Sequence, residues 1–220
     1  MTALALPSPL SRPPRHFTNA AEWHHALGDV PLERIVFDPV PGTATESDLL
    51  RLVERDKRLC ELIDGTLVEK AVGFWEGQIA ARLIIILGNF ADARDLGAVF
   101  APDSTMRMQS GHVRMPDVSF ISKQRLPTTD EAIPTIAPDL AVEVLSESNT
   151  VREIALKLNE FFQSGTRLAW VVDRRPRTVA VYNAPGKPAT VLDEHGTLEG
   201  EPVMPVLRIP VADLFRNVPR

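Results

Sequence analysis

Hydrophobic and polar positions follow two rhythms along this chain. From residue 75 to about 90, apolar side chains stand at Trp75, Ile79, Leu83, Ile86 and Leu87, with Gly88 near the end. That spacing predicts a helix with one apolar face. The rhythm returns over residues 151–163, where Ile154, Leu158, Phe161 and Phe162 face inward. Ser146, Ser148, Asn149 and Thr150 offer capping oxygens before it, and Gly165 closes it. A shorter helix is expected through Leu49, Leu50, Leu52 and Val53, capped by Thr45 or Ser47, although Ser47 is followed at Leu50 by no reciprocal Glu. Residues 19–27 form one further helix-like stretch.

Elsewhere the pattern is that of strands. Residues 60–69 read as strand, tight turn and strand, because Asp64-Gly65 is the strongest hairpin signal in the chain. Residues 99–101, 105–108 and 113–121 read as strands, with a turn at Ser110-Gly111 between the last two. A Pro- and Thr-rich loop over 126–138 precedes a strand at 139–145. Residues 168–172 form an apolar strand, 173–177 a turn and 178–182 the returning strand; short strands and turns fill 190–214 around Gly196 and Gly200. The core order is helix, three strands, helix, strand. The strand–helix–strand passage from Glu143 to Trp170 implies a right-handed parallel crossover. The expected fold class is α/β, a mixed β-sheet flanked by helices with an added N-terminal hairpin.

The 220 residues suit one globular domain with an extension. Residues 1–45, rich in proline and irregular in period, are expected to be that extension, an arm or loosely packed segment, and 46–216 the folded domain. No apolar run approaches the roughly 18 residues of a spanning helix. Pro7, Pro9, Pro13 and Pro14 break the N-terminus before a signal-peptide core can form, so a cytoplasmic location is expected and no membrane partner. Cys60 is the only cysteine, which excludes a disulfide framework and a thiolate zinc site; its neighbours Leu59, Leu62 and Ile63 predict a buried thiol. Adjacent His24 and His25 diverge on a helix and have no third ligand nearby. The formal net charge of −5 argues against a general electrostatic grip on nucleic acid and leaves only a local basic patch.

Two carboxylates change the picture. Asp117 and Glu143 interrupt runs that are otherwise apolar and β-branched. Removing a carboxylate from water costs several kcal/mol unless a cation, a metal or hydrogen bonds offset it. Two such groups on neighbouring strands suggest a shared cation. Side-chain alternation puts Glu143 on one face with Ala141 and Leu145, and Asp117 with Met115 and Ser119, small neighbours that leave room for a metal and water. Pro116 cannot donate to a sheet ladder and favours an edge or bulge beside Asp117. Lys157, on the helix that follows Glu143, borders the apolar stripe and can reach the strand ends, or can be a solvated helix lysine.

Pro116-Asp117, then Glu143-Val144-Leu145-Ser146, then Lys157 resemble the PD-(D/E)xK nuclease pattern in the form shown by the Uma-two family of restriction-endonuclease-like proteins. The likeness also takes in residues 61–65, the helix from Trp75, Gly165 and residues 170–173, and spans roughly 45–182. It implies a restriction-endonuclease-like core and a metal-dependent phosphodiesterase. Asp117 and Glu143 would be ligands, usually for Mg2+ with Mn2+ as a substitute, and the Val144 carbonyl a further ligand. Leu145 stands where the simple pattern has its lysine; the related family moves the basic group onto the following helix, at Lys157. Where the family often has a histidine near the start of the first helix, this chain has Trp75-Glu76.

The resemblance implies hydrolysis of nucleic acid, DNA in the first instance, with Lys157 orienting water or stabilising phosphoryl charge. Glu61 or Glu76 would complete the shell. The bland alternatives are a solvated face for Glu61 and a helix N-terminal charge for Glu76. Arg174, Arg175 and Arg177 form the densest basic run, a phosphate-contacting turn or a solvated hairpin turn. Two-strand cutting requires two sites, so a homodimer is expected. Two other readings stay open: a non-catalytic nucleic-acid-binding module on the same fold, and an acid/base enzyme in which Asp117 and Glu143 work without metal.

Overall fold

The computed structural model describes residues 17–108 and 112–219. Helix α1 (Ala20–Ala26) starts where the Asn19 side chain accepts the Glu22 amide. Helix α2 (Glu46–Glu54) starts from a complete capping box, in which Thr45 Oγ1 accepts the Asp48 amide and the Asp48 carboxylate accepts the Thr45 amide. The reciprocal acid is therefore an Asp paired with Thr45, which a search for Glu after Ser47 overlooks. Strands β1 (Cys60–Ile63) and β2 (Thr66–Glu69) form the expected hairpin, and Asp64 and Gly65 both take positive φ, 45° and 72°, as a type I′ turn requires. Helix α3 (Phe74–Asp92), β3 (Gly97–Phe100), β4 (Met106–Arg107), β5 (Val113–Arg114), β6 (Val118–Ser122) and β7 (Leu140–Leu145) follow. Helix α4 (Val151–Gln163), capped by Thr150, then leads to β8 (Leu168–Asp173), β9 (Thr178–Tyr182), β10 (Thr190–Leu192), β11 (Thr197–Glu199), β12 (Arg208–Pro210) and α5 (Val211–Leu214).

The larger sheet has the order β10-β9-β8-β7-β6-β3, and its β7–β8 pair is parallel, joined by α4 as the expected crossover. The other pairs in it are antiparallel, so the sheet is mixed. A smaller sheet, β2-β1-β5-β4, lies beside it, and β11 pairs with β12 separately.

The single strand expected over 113–121 is two strands in different sheets. β5 pairs with β1 through Leu62 and Val113, whereas β6 pairs with β3 and β7. The break falls at Met115-Pro116-Asp117, where Pro116 has no N–H for a ladder. Asp117 is thereby delivered to the junction of the two sheets. The Ser110-Gly111 turn lies outside the described residues.

Leu140, Val142 and Val144 pack with Phe120, Trp170 and Val172 against α3 and the C-terminal segment. The opposite face carries Ala141, Ile121, Ala169 and Val171, covered by Phe161, Ile154 and Leu158 of α4 and by Met106 and Met108. Glu143 is on this second face, as alternation requires. Residues 1–16, with the N-terminal prolines, lie outside the described residues. From Leu27 onward the stretch expected to be a loose extension is packed: Leu27, Val30 and Ile35 meet Ile63 and Val68, and Val36 and Ala44 meet Leu62 and Leu67. Cys60 is fully buried, and burial pushes its thiol up to about 11. Among the described residues no helix is long and apolar enough to cross a membrane.

Candidate active site

Asp117 stands at the start of β6 beside Glu143 on β7. Its Oδ2 accepts the Val144 amide at 2.7 Å. Its Oδ1 lies 2.9 Å from the ammonium of Lys70, which also donates to the Met115 carbonyl at 2.6 Å and to that of Pro102 at 3.3 Å. Lys70 follows β2 directly, so the hairpin of the smaller sheet holds the carboxylate of the larger one.

Glu143 is buried, and its Oε2 accepts from Lys157 Nζ at 3.0 Å. Its Oε1 is buried with no hydrogen-bond partner among the described residues. Lys157 is only 3% exposed, which excludes the solvated-lysine alternative, and its ammonium is also 3.1 Å from Glu61 Oε1. Glu61 is likewise buried and does not lie on a solvated face. It accepts the Met115 amide at 3.1 Å and Arg114 at 3.0 Å.

This cluster extends along one face of α4. Glu153, Lys157 and Glu160, four and then three residues apart, all point at the hairpin side, where an i, i+4, i+7 spacing must place them. Glu153 forms a two-bond pair with the buried Arg34, at 2.7 and 3.0 Å. Glu160 forms another with Arg114, at 2.7 and 2.8 Å. His112 bridges Glu160 at 2.7 Å and Asp64 at 3.0 Å.

Burial raises the Glu143 carboxyl to about 7; Lys157 and Lys70 oppose this, and Asp117 and Glu61 add to it. For Glu61, burial pushes in the same direction, but Lys157, Arg114, Lys70 and the Met115 amide outweigh it and hold the group down at about 2. Burial disfavours the Lys157 ammonium, yet Glu143, Glu61 and Glu153 more than offset that and raise it. At the centre, the four carboxylates of Asp117, Glu143, Glu61 and Glu160 face the three cations Lys70, Lys157 and Arg114. His112 and Asp64 adjoin this group through Glu160, and within it Glu143 is the carboxyl whose charged form burial on balance disfavours. A cation at Glu143 would meet the buried Oε1, which has no hydrogen-bond partner among the described residues.

A hard divalent ion fits that position, since carboxylate and carbonyl oxygens are the donors that magnesium or manganese takes. The donor set is small. Among the described residues no three His, Cys, Asp or Glu side chains gather as a metal cluster. Glu61 is already engaged by Arg114 and Met115.

Other residues singled out from the sequence lie apart from this group. Glu76, in the first turn of α3, meets Arg174 Nε at 3.0 Å. Arg175 is exposed and paired with Glu147. Arg177 meets Glu194 at 2.6 Å, donates to the carbonyls of Val218 and Phe215 and stacks over the Phe215 ring, so it clamps the C-terminal segment. Arg174 and Arg175, with Ser146, Asn149 and Tyr182, line a cleft of about 710 Å3 beside the C-terminal ends of β7 and β8. Sequence reasoning missed Lys70, Arg114 and Glu160. The available signal was Arg114 between Val113 and Met115, a charge in an apolar strand like the two carboxylates.

Residues 46–212 match the Uma2 family, described as putative restriction endonuclease. The fold is similar to the crystal structure of a putative nuclease belonging to DUF820 from Anabaena variabilis, with a TM-score of 0.66 and 21% identity over 73% of this chain and 91% of that one. A partial likeness to the DrdV–DNA complex has a TM-score of 0.33 and 14% identity over 54% of this chain and 12% of that one. No curated protein matches. The match over most of the chain establishes that the protein belongs to the Uma2 family.

Proposed function

We propose that the protein is a divalent-metal-dependent endonuclease that hydrolyses phosphodiester bonds in nucleic acid, with DNA as substrate. The observation that carries this reading is the buried Oε1 of Glu143, without a hydrogen-bond partner among the described residues, next to Asp117 and Lys157. Asp117, Glu143 and the Val144 carbonyl would hold Mg2+ or Mn2+. When bound, the ion polarises the scissile phosphate and lowers the pKa of an attacking water.

The protein's own groups do the rest. Asp117 is held in place by the Val144 amide and by Lys70. Lys157 supplies an ammonium at Glu143 to orient water and stabilise developing phosphoryl charge. Glu61, locked by Arg114 and the Met115 amide, orients Lys157 and takes the role of the additional acid in preference to Glu76. Arg174 and Arg175 reach phosphates from the rim of the neighbouring cleft, and two copies acting as a homodimer in the cytoplasm would cut both strands.

The test is cleavage of mixed DNA and RNA substrates with magnesium, manganese or chelator. Wild type should cleave only with metal, and Glu143→Gln should not cleave at all. Leu145 in place of a strand-borne lysine favours one second reading, a binding module without turnover. It predicts salt-dependent binding and no product at any metal concentration.

A further inference from the structure

Lys70 belongs to no motif in the chain, yet its side chain is 2% exposed and ends at the candidate site. Its three N–H groups face three oxygens: the Met115 carbonyl at 2.6 Å, Asp117 Oδ1 at 2.9 Å and the Pro102 carbonyl at 3.3 Å. Two of them come from the Met115-Pro116-Asp117 break and the third from the loop after β3, and all are carbonyl or carboxylate oxygens, the class that hard cations take. Lys157 is placed differently, between Glu61 and Glu143. Of the Asp117 oxygens, Oδ2 is turned onto the Val144 amide, and Oδ1 carries the Lys70 ammonium.

We infer that Lys70 is a tethered cation which occupies the Asp117 carboxylate and competes with the divalent ion for it. Two positive charges on one carboxylate oxygen repel strongly in a buried site. Because the ammonium is fixed to the chain, its effective concentration is high, and an incoming ion must displace it. Lys70 thereby sets the metal concentration at which the site loads. This inference rests on the reading of Asp117 and Glu143 as metal ligands.

The experiment is calorimetric titration of MgCl2 and MnCl2 into the full chain as wild type, Lys70→Met and Lys70→Arg, with folding followed by circular dichroism. Lys70→Met should bind metal about tenfold or more tightly than wild type, and Lys70→Arg, which keeps the charge, should stay near wild type. Binding by Lys70→Met with none by wild type would support the inference equally. Metal binding by wild type with unchanged or weaker binding by Lys70→Met would overturn the role of Lys70 and leave the metal-site reading intact. No binding by any of the three would overturn both. If Lys70→Met does not fold, Lys70→Gln, which retains a donor for the Met115 carbonyl, carries the same expectation.

Discussion

Lys157 Nζ lies 3.0 Å from Glu143 Oε2 although the two residues are 14 apart in the chain, one on α4 and the other on β7. The crossover that makes β7 and β8 parallel brings them together: α4 must pack back over the sheet face that carries Glu143. A lysine on that helix therefore reaches the site that a lysine at position 145 would occupy from the strand.

Replacing Glu143 by Gln should abolish cleavage while leaving stability nearly unchanged. Burial already drives this carboxyl to about 7, so a neutral isostere suits its surroundings. Lys157→Ala should lower the cleavage rate by about 100-fold or more, the size of effect seen when one donor to a developing anion is lost. Single-turnover assays and thermal melts of both variants check this; full metal-dependent cleavage by Lys157→Ala would remove that residue from the mechanism.

Arg114→Ala should destabilise the fold by about 3–5 kcal/mol, because it strips Glu61 and Glu160 of a buried cation. Urea unfolding measures the loss. A change below about 1 kcal/mol would show that the network contributes little.

His112 should make stability depend on pH on the alkaline side. Burial disfavours its charged form, but hydrogen bonds with Asp64 and Glu160 outweigh this and raise its pKa above the ordinary 6.5. Its contribution is then fully present below about 6.5 and is lost as pH rises through the raised value. Melting temperatures between pH 6 and 9 should fall more for wild type than for His112→Gln; parallel curves would contradict this.

Arg175 and Arg177 should separate on mutation. Arg177→Ala removes the clamp on the C-terminal segment and should cost about 1–3 kcal/mol in a thermal melt. Arg175→Ala, at an exposed surface pair, should change stability by less than about 0.5 kcal/mol. It should weaken nucleic-acid binding and reduce the salt slope by about one if that side chain contacts a phosphate. Binding isotherms at several salt concentrations decide between these outcomes.

The local elements and the first members of the site are legible in the chain without its fold. Helices α3 and α4, the β1–β2 hairpin and the facing of β7 follow from side-chain period and turn chemistry, properties of a few neighbouring residues. Asp117 and Glu143 stand out because a charge in an apolar run demands compensation, and Lys157 through its place on the following helix and the family resemblance. What supplies that compensation is a tertiary matter. Glu61 is open in the sequence between a solvated face and the additional acid, because alternation along β1 does not say whether its second face is covered, and α4 covers it. Arg114 meets Glu61 from 53 residues away, and Lys70 reaches Asp117 from the other sheet. Such pairings depend on which strands lie side by side, and Pro116 decides that here by splitting β5 from β6. The cations that meet Asp117 and Glu143 come from distant segments, so only the folded chain determines which they are.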